Sequence, residues 1–75
     1  MVLGGMIEAQ KDLMWALYEA PQRSLPAMLL REIHGVGNHT IRWAVGIGYI
    51  YRIKYGGVVH YELTGKGQRA IERDP

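Results

Sequence analysis

Three cationic side chains, Arg42, Arg52 and Lys54, stand in a part of the chain that holds no acid. The seven acidic residues, Glu8, Asp12, Glu19, Glu32, Glu62, Glu72 and Asp74, all fall outside residues 33–61. The window also contains His34, His39 and His60. It therefore carries a formal charge of +3, from Arg42, Arg52 and Lys54, although the whole chain carries only +2. A one-signed patch of this kind attracts a polyanion. A solvated basic surface is the plainer alternative. Other chemistries are poorly supplied. The three histidines do not share metal-ligand spacing, so no metal is expected. There is no cysteine, hence no disulfide framework and no thiolate site. Ser24 is the only serine, and no nucleophile, base and acid form a set. We expect no enzyme activity and no cofactor, and the residues identify no small-molecule effector.

The elements that must position these charges lie between Asn38 and Thr64. Asn38 is a candidate N-cap, its side-chain oxygen accepting from a free N–H of the first turn. A helix over 38–46 then places Ile41, Ala44 and Val45 on one apolar face. His39, Thr40, Arg42 and Trp43 are left pointing elsewhere. Gly46 and Gly48 can end it. From Tyr49 the residues become β-branched and aromatic, and Gly56-Gly57 separates two such runs. That is the two-residue turn of a hairpin spanning 49–63. Counting back from the turn pairs Tyr55 with Val58, Ile53 with His60, Tyr51 with Glu62 and Ile50 with Leu63. Side chains alternate faces, so Arg52 and Lys54 share one face with Ile50 and Tyr61. The hairpin is apolar at its root and basic at its tip.

The first half reads as support. After a 1–5 tail, residues 6–20 form a helix of good helix formers, ended by Pro21. One stripe runs Met6, Gln10, Leu13, Leu17 and Ala20. A second apolar line, Ile7, Met14 and Tyr18 joined by Trp15, exceeds what one small core needs and suggests a dimer interface. Ser24 is a candidate N-cap for a second helix over 25–34, with Leu25 and Pro26 in its first turn and Leu29, Leu30 and Ile33 inward. Gly35-Val36-Gly37 makes the turn to the third helix, a helix-turn-helix arrangement. Thr64 can cap a short helix over 65–73. The expected class is α+β: three helices, a β-hairpin wing and a short C-terminal helix in one domain over 1–75. No apolar run approaches the ~18 residues of a membrane span, and the start lacks the pattern of a signal peptide. A cytoplasmic, intracellular protein is expected.

This order, with Gly48-Tyr49-Ile50 entering the hairpin and Tyr61-Glu62-Leu63-Thr64-Gly65-Lys66-Gly67 leaving it, resembles the winged helix-turn-helix regulators of bacteria and archaea. The multiple-antibiotic-resistance-type regulators are the nearest comparison, with their Tyr-x-Leu-Thr-x-x-Gly exit segment. The resemblance covers Met6 to Glu72. The interval from Thr40 to Gly48 is shorter than in that family, and the long flanking helices are missing, as in a minimal domain. The resemblance implies double-stranded DNA binding, the third helix entering the major groove and the wing lying on the backbone or in the minor groove. It assigns base reading to His39, Thr40, Arg42 and Trp43, beside the cap Asn38. Arginine can bond two acceptors of guanine, and threonine can touch a thymine methyl. Arg23 and Ser24 would meet phosphate at the second helix's N-terminus. Arg52, Lys54 and His60 would serve the wing, with Tyr55 at its tip and Gly56 and Gly57 letting the backbone approach.

Bland roles stand beside these. Trp43 can stack on a sugar or base, or pack against the hairpin. His39 can be a capping or surface residue. The function expected is a sequence-specific transcriptional regulator, acting as a homodimer through Ile7, Met14, Trp15 and Tyr18. The alternatives are a winged-helix protein-interaction module, since fold does not fix function, and a low-specificity architectural DNA binder.

Overall fold

The computed structural model describes residues 5–74. Of the expected tail, residues 1–4 lie outside the described residues, and Gly5 is exposed. Element order is α1 (Glu8–Glu19), a 3-10 turn (Pro21–Arg23), β1 (Ser24–Pro26), α2 (Ala27–Arg31), α3 (Asn38–Ile47), β2 (Ile50–Tyr55), β3 (Val58–Leu63) and α4 (Gly65–Arg73). The described residues thus form a small α+β domain of four α-helices and one three-stranded antiparallel sheet, in the order β1-β3-β2. No helix among them is long and apolar enough to cross a membrane.

α1 starts where the Gln10 side-chain oxygen accepts from the Ile7 N–H at 3.1 Å. It stops at Ala20, whose extended backbone (φ −75°, ψ 151°) is the conformation a following proline imposes. Leu13, Met14 and Leu17 are completely buried. Met14 of the second apolar line thus joins the first line in the core, because α3, α4 and the sheet all pack against this helix. Met14 cannot face another subunit, which corrects its place in the expected dimer surface. Ile7 and Trp15 do remain exposed, at 62% and 42%. Tyr18 is half-buried, donating its hydroxyl to Glu72 at 2.8 Å.

The second helix is where expectation and structure part. Ser24, Leu25 and Pro26 form a strand, paired with Glu62, Tyr61 and His60. Pro26 is the cause. It pushes Leu25 out of the helical region and itself sits extended at φ −60°, ψ 143°. As an edge strand β1 tolerates a residue with no N–H. α2 consequently begins at Ala27 and has only five residues, not the ten of 25–34. Leu30 is buried and Ile33 half-buried, but Leu29 is 47% exposed. The turn entering β1 is strained: Gln22 and Arg23 both hold φ 58°, where a side chain clashes with its own backbone.

α3 is capped by Gly37 rather than by Asn38. The Gly37 N–H donates to Thr40 Oγ1 at 3.3 Å. Gly46 does not end this helix; it continues to Ile47, and Gly48 closes it in the left-handed conformation (φ 87°). Ile41 and Ala44 point into the core with Thr40, while Val45 is 41% exposed. The hairpin has the register counted from its turn: Tyr55 with Val58, Ile53 with His60, Tyr51 with Glu62, Ile50 with Leu63. Gly56 and Gly57 both take positive φ, 55° and 80°, as a tight turn with the sheet's own twist requires.

α4 is latched to the junction between α3 and β2. The Thr64 N–H donates to the Tyr49 carbonyl at 2.9 Å. The Thr64 hydroxyl reaches the Gly48 and Tyr49 carbonyls at 2.7 and 3.0 Å and accepts from the Gly67 N–H at 3.0 Å. Lys66 Nζ donates to the Ile47 carbonyl at 2.8 Å, satisfying an orphan group at the end of α3. Ile71, 1% exposed, seals the core from this side. The C-terminal end of α3 is thereby tied to the hairpin's start and to α4 by this latch.

Candidate functional site

A cleft of about 360 Å³ opens between the outer side of α3 and the inner face of the hairpin. α3 supplies Asn38, Ile41, Arg42 and Val45 to its wall; β2 supplies Arg52 and β3 supplies Tyr61. Arg31, the last residue of α2, completes it. Three guanidinium groups thus surround one cleft, and no acidic side chain lines it. Among the described residues the ion pair that forms is Lys11 with Asp74 at 3.3 Å, and none of the three arginines has a carboxylate partner. Glu62, the nearest acid in sequence to Tyr61, stands one position along β3 and so projects from the opposite face of the sheet. Like charges gathered without counter-charge favour an anion in the cleft.

Local structure explains each position. Arg42 follows the buried Ile41 and so falls on the exposed side of α3. Arg52 lies between Ile50, which is buried, and Lys54, which is exposed, on the face of β2 that looks towards α3. The inner face thus changes from apolar at the root to cationic towards the tip. Asn38 is exposed at the first turn of α3, and its side-chain oxygen accepts from Arg31 Nε at 2.9 Å. His39 is exposed beside it. Gly56 and Gly57 are exposed, and a Cβ built on either would meet nothing within 4 Å.

Several expected site residues lie elsewhere. Thr40 is 3% exposed and is spent on the Gly37 N–H, so it cannot read a base. Trp43 is half-buried, edge-on to Tyr49 with ring centroids 5.6 Å apart. Its packing alternative is the one the structure takes. Arg23 folds back on α1, donating to the Tyr18 carbonyl and standing 4.4 Å from the centre of the Tyr18 ring. Ser24 is in β1, not at a helix N-terminus, and its hydroxyl is buried with no hydrogen-bond partner among the described residues. The anion site expected at Arg23 and Ser24 therefore does not form.

Tyr55 and His60 belong to the outer face of the sheet, away from Arg52 and Lys54. Their rings meet edge-on at 5.0 Å. The Tyr55 hydroxyl donates to Glu62 at 3.1 Å. Tyr51 and Tyr55 both hold their protons more tightly than the usual 10.0 for a phenol, first through hydrogen bonding to Glu62, then through partial desolvation and the charge of that carboxylate. Tyr18 is raised in the same way, first by its hydrogen bond to Glu72.

Arg31, Ile41, Val45 and Tyr61 are the cleft residues that sequence reasoning did not assign to a site, and Arg31 and Tyr61 are the polar ones among them. Arg31 falls just outside the acid-free window, beyond Glu32, and only the turn at 32–37 brings it back against Asn38. Tyr61 reads as core from its alternation with Leu63; it is half-buried, packs against the core and also lines the cleft. Scans against protein-family models, curated proteins and solved structures each find no match to this chain.

Proposed function

We propose that the chain is a minimal winged helix-turn-helix domain that binds double-stranded DNA in a sequence-specific manner, as a transcriptional regulator. The observation that carries this reading is the acid-free cleft between α3 and the hairpin, lined by Arg31, Arg42 and Arg52. α3 enters the major groove with Asn38, His39 and Arg42 towards the base edges. Arg42 can bond guanine O6 and N7 together, the commonest specific contact of an arginine. Arg52 and Lys54, on the same hairpin face, meet the phosphates of the adjoining strand. Gly56 and Gly57 let the turn lie close to the sugar-phosphate backbone. The short α1–α2–β1 half holds α3 at its angle and makes no base contact.

Two copies act as a homodimer through Ile7 and Trp15, the exposed apolar residues of the first-helix region, joined at the edge by Tyr18. Two-fold symmetry then places two α3 helices about one DNA turn apart, ~34 Å, on a palindromic site.

A protein-interaction module is the second reading. Its support is the exposed apolar side chains of α2 and α3: Met28 at 72%, Leu29 at 47%, Val45 at 41% and Ile47 at 38%. Binding to duplex DNA over a salt series, with selection from a random pool, separates the two. Salt-dependent enrichment of one motif is expected. Absence of binding at low salt would sink the DNA reading and leave the interaction module.

A further inference from the structure

Arg31 ends α2 and Asn38 begins α3, and the hydrogen bond between them crosses the turn that joins the two helices. Arginine carries only donors, so the atom of Asn38 that meets Nε at 2.9 Å is the amide oxygen. The orientation of the Asn38 amide is thereby determined: oxygen towards Arg31, NH2 group away from it. Left alone, an exposed asparagine on the first turn of a helix turns its oxygen onto nearby backbone N–H groups. Here no side chain caps the start of α3 from outside, and Thr40 answers the Gly37 N–H. Asn38 is the first helical residue, past the Gly37 cap, and its oxygen is taken by Arg31. Both side chains line the same cleft as Arg42.

We propose that Arg31 is a positioning residue that presents the Asn38 NH2 group as a fixed donor to one base acceptor, a purine N7, a guanine O6 or a thymine O4. This rests on the DNA-binding reading above and adds to it the residue that sets the preference at one base position. Two duties are combined in Arg31. Its Nε orients Asn38, and its terminal N–H groups remain for a phosphate oxygen. A loosely held amide would lose side-chain freedom on binding; one already held loses less.

The test is a double-mutant cycle of Arg31→Met, Asn38→Ala and the pair, each protein selected against a randomised duplex pool and then titrated over salt. Both side chains are exposed, so all three variants are expected to melt cooperatively near the wild type. Asn38→Ala relaxes the preference at one base position by about tenfold. Arg31→Met relaxes the same position by a similar factor, and the double variant relaxes it no further. A plain tie between two helices does not move a single base preference. If Arg31→Met weakens all sequences equally and lowers the salt slope by about one, leaving the Asn38 position intact, Arg31 is a phosphate contact only and the inference is overturned. If the wild type enriches no motif and shows no salt-dependent binding, the DNA-binding reading itself falls, and the inference with it.

Discussion

Replacing Gly67 by alanine separates a general rule from this fold. Gly67 lies in the first turn of α4 and has an ordinary helical backbone. On propensity alone the change should stabilise the helix by about 1 kcal/mol. The packing says the opposite. A Cβ built at Gly67 stands 2.2 Å from the Tyr49 carbonyl oxygen, 2.9 Å from Leu63 Cδ1 and 3.0 Å from the Tyr49 carbonyl carbon. Two of these are backbone atoms and cannot rotate away. The same Tyr49 oxygen accepts from the Thr64 N–H and hydroxyl. To admit the methyl, α4 must lift, at an overpacking cost of about 1–3 kcal/mol. The two Thr64 bonds weaken with it, at about 1 kcal/mol each. Less the propensity gain, the net loss is roughly 2–4 kcal/mol. At about 4–8 °C per kcal/mol for a domain of this size, the melting temperature falls by roughly 10–30 °C. Gly46→Ala is the matched control. Gly46 is inside α3, and a Cβ there meets nothing within 4 Å, so it should gain up to about 1 kcal/mol. Urea unfolding followed by tryptophan fluorescence reads both. A Gly67→Ala protein with a midpoint at or above the wild type would refute the close approach of α4 to Tyr49.

Arg42→Ala should cost about 1–3 kcal/mol on the selected site; an equal loss on every sequence would demote it to a phosphate contact. The phenols of Tyr51 and Tyr55 are raised above 10.0, first by hydrogen bonding to Glu62. A raised folded-state value means these contacts contribute fully below pH 10.0 and are lost as pH rises through the raised values. Phenolate absorbance should therefore appear late, and Glu62→Gln should bring two of the tyrosines back towards the ordinary range while leaving Tyr18 on Glu72 unchanged. A titration curve that Glu62→Gln does not move would show that this carboxylate does not hold them. Sedimentation equilibrium should give a dimer that Trp15→Glu converts to monomer; a wild type that stays monomeric at high concentration would remove the proposed homodimer.

The acid-free cationic stretch in the middle of the chain and the register of the hairpin were legible because both are local. A two-glycine turn sets the register, and the period-two alternation then assigns Arg52 and Lys54 to one face and Tyr55 to the other. The Thr64 cap of α4 was legible for the same reason. The Tyr61-to-Gly67 segment stood out as a motif, but its final glycine acquires a physical reason only when α4 is seen against the Tyr49 carbonyl.

Other features depended on partners remote in sequence. Ser24-Leu25-Pro26 is too short to show a period, and it becomes a strand only because β3 offers it an edge. Without that strand in view, Ser24 passes for a helix cap and Arg23 for its anion-binding neighbour. Met14 and Ile7 lie on one helical line, yet α1 is enclosed on enough sides to bury Met14 and leave Ile7 out. Thr40 is polar and stands on the turn before Arg42, but a cap at Gly37 turns it inward.

By itself, then, the sequence determined that the chain would make helices and a two-glycine hairpin with an uncompensated cationic centre. Composition, caps and alternation act over a few residues and survive in any fold. Tertiary structure alone decided which cations share one space. Arg31, Arg42 and Arg52 come from three different elements, and their convergence is set by how α3 packs between its Gly37 cap and the Thr64 latch.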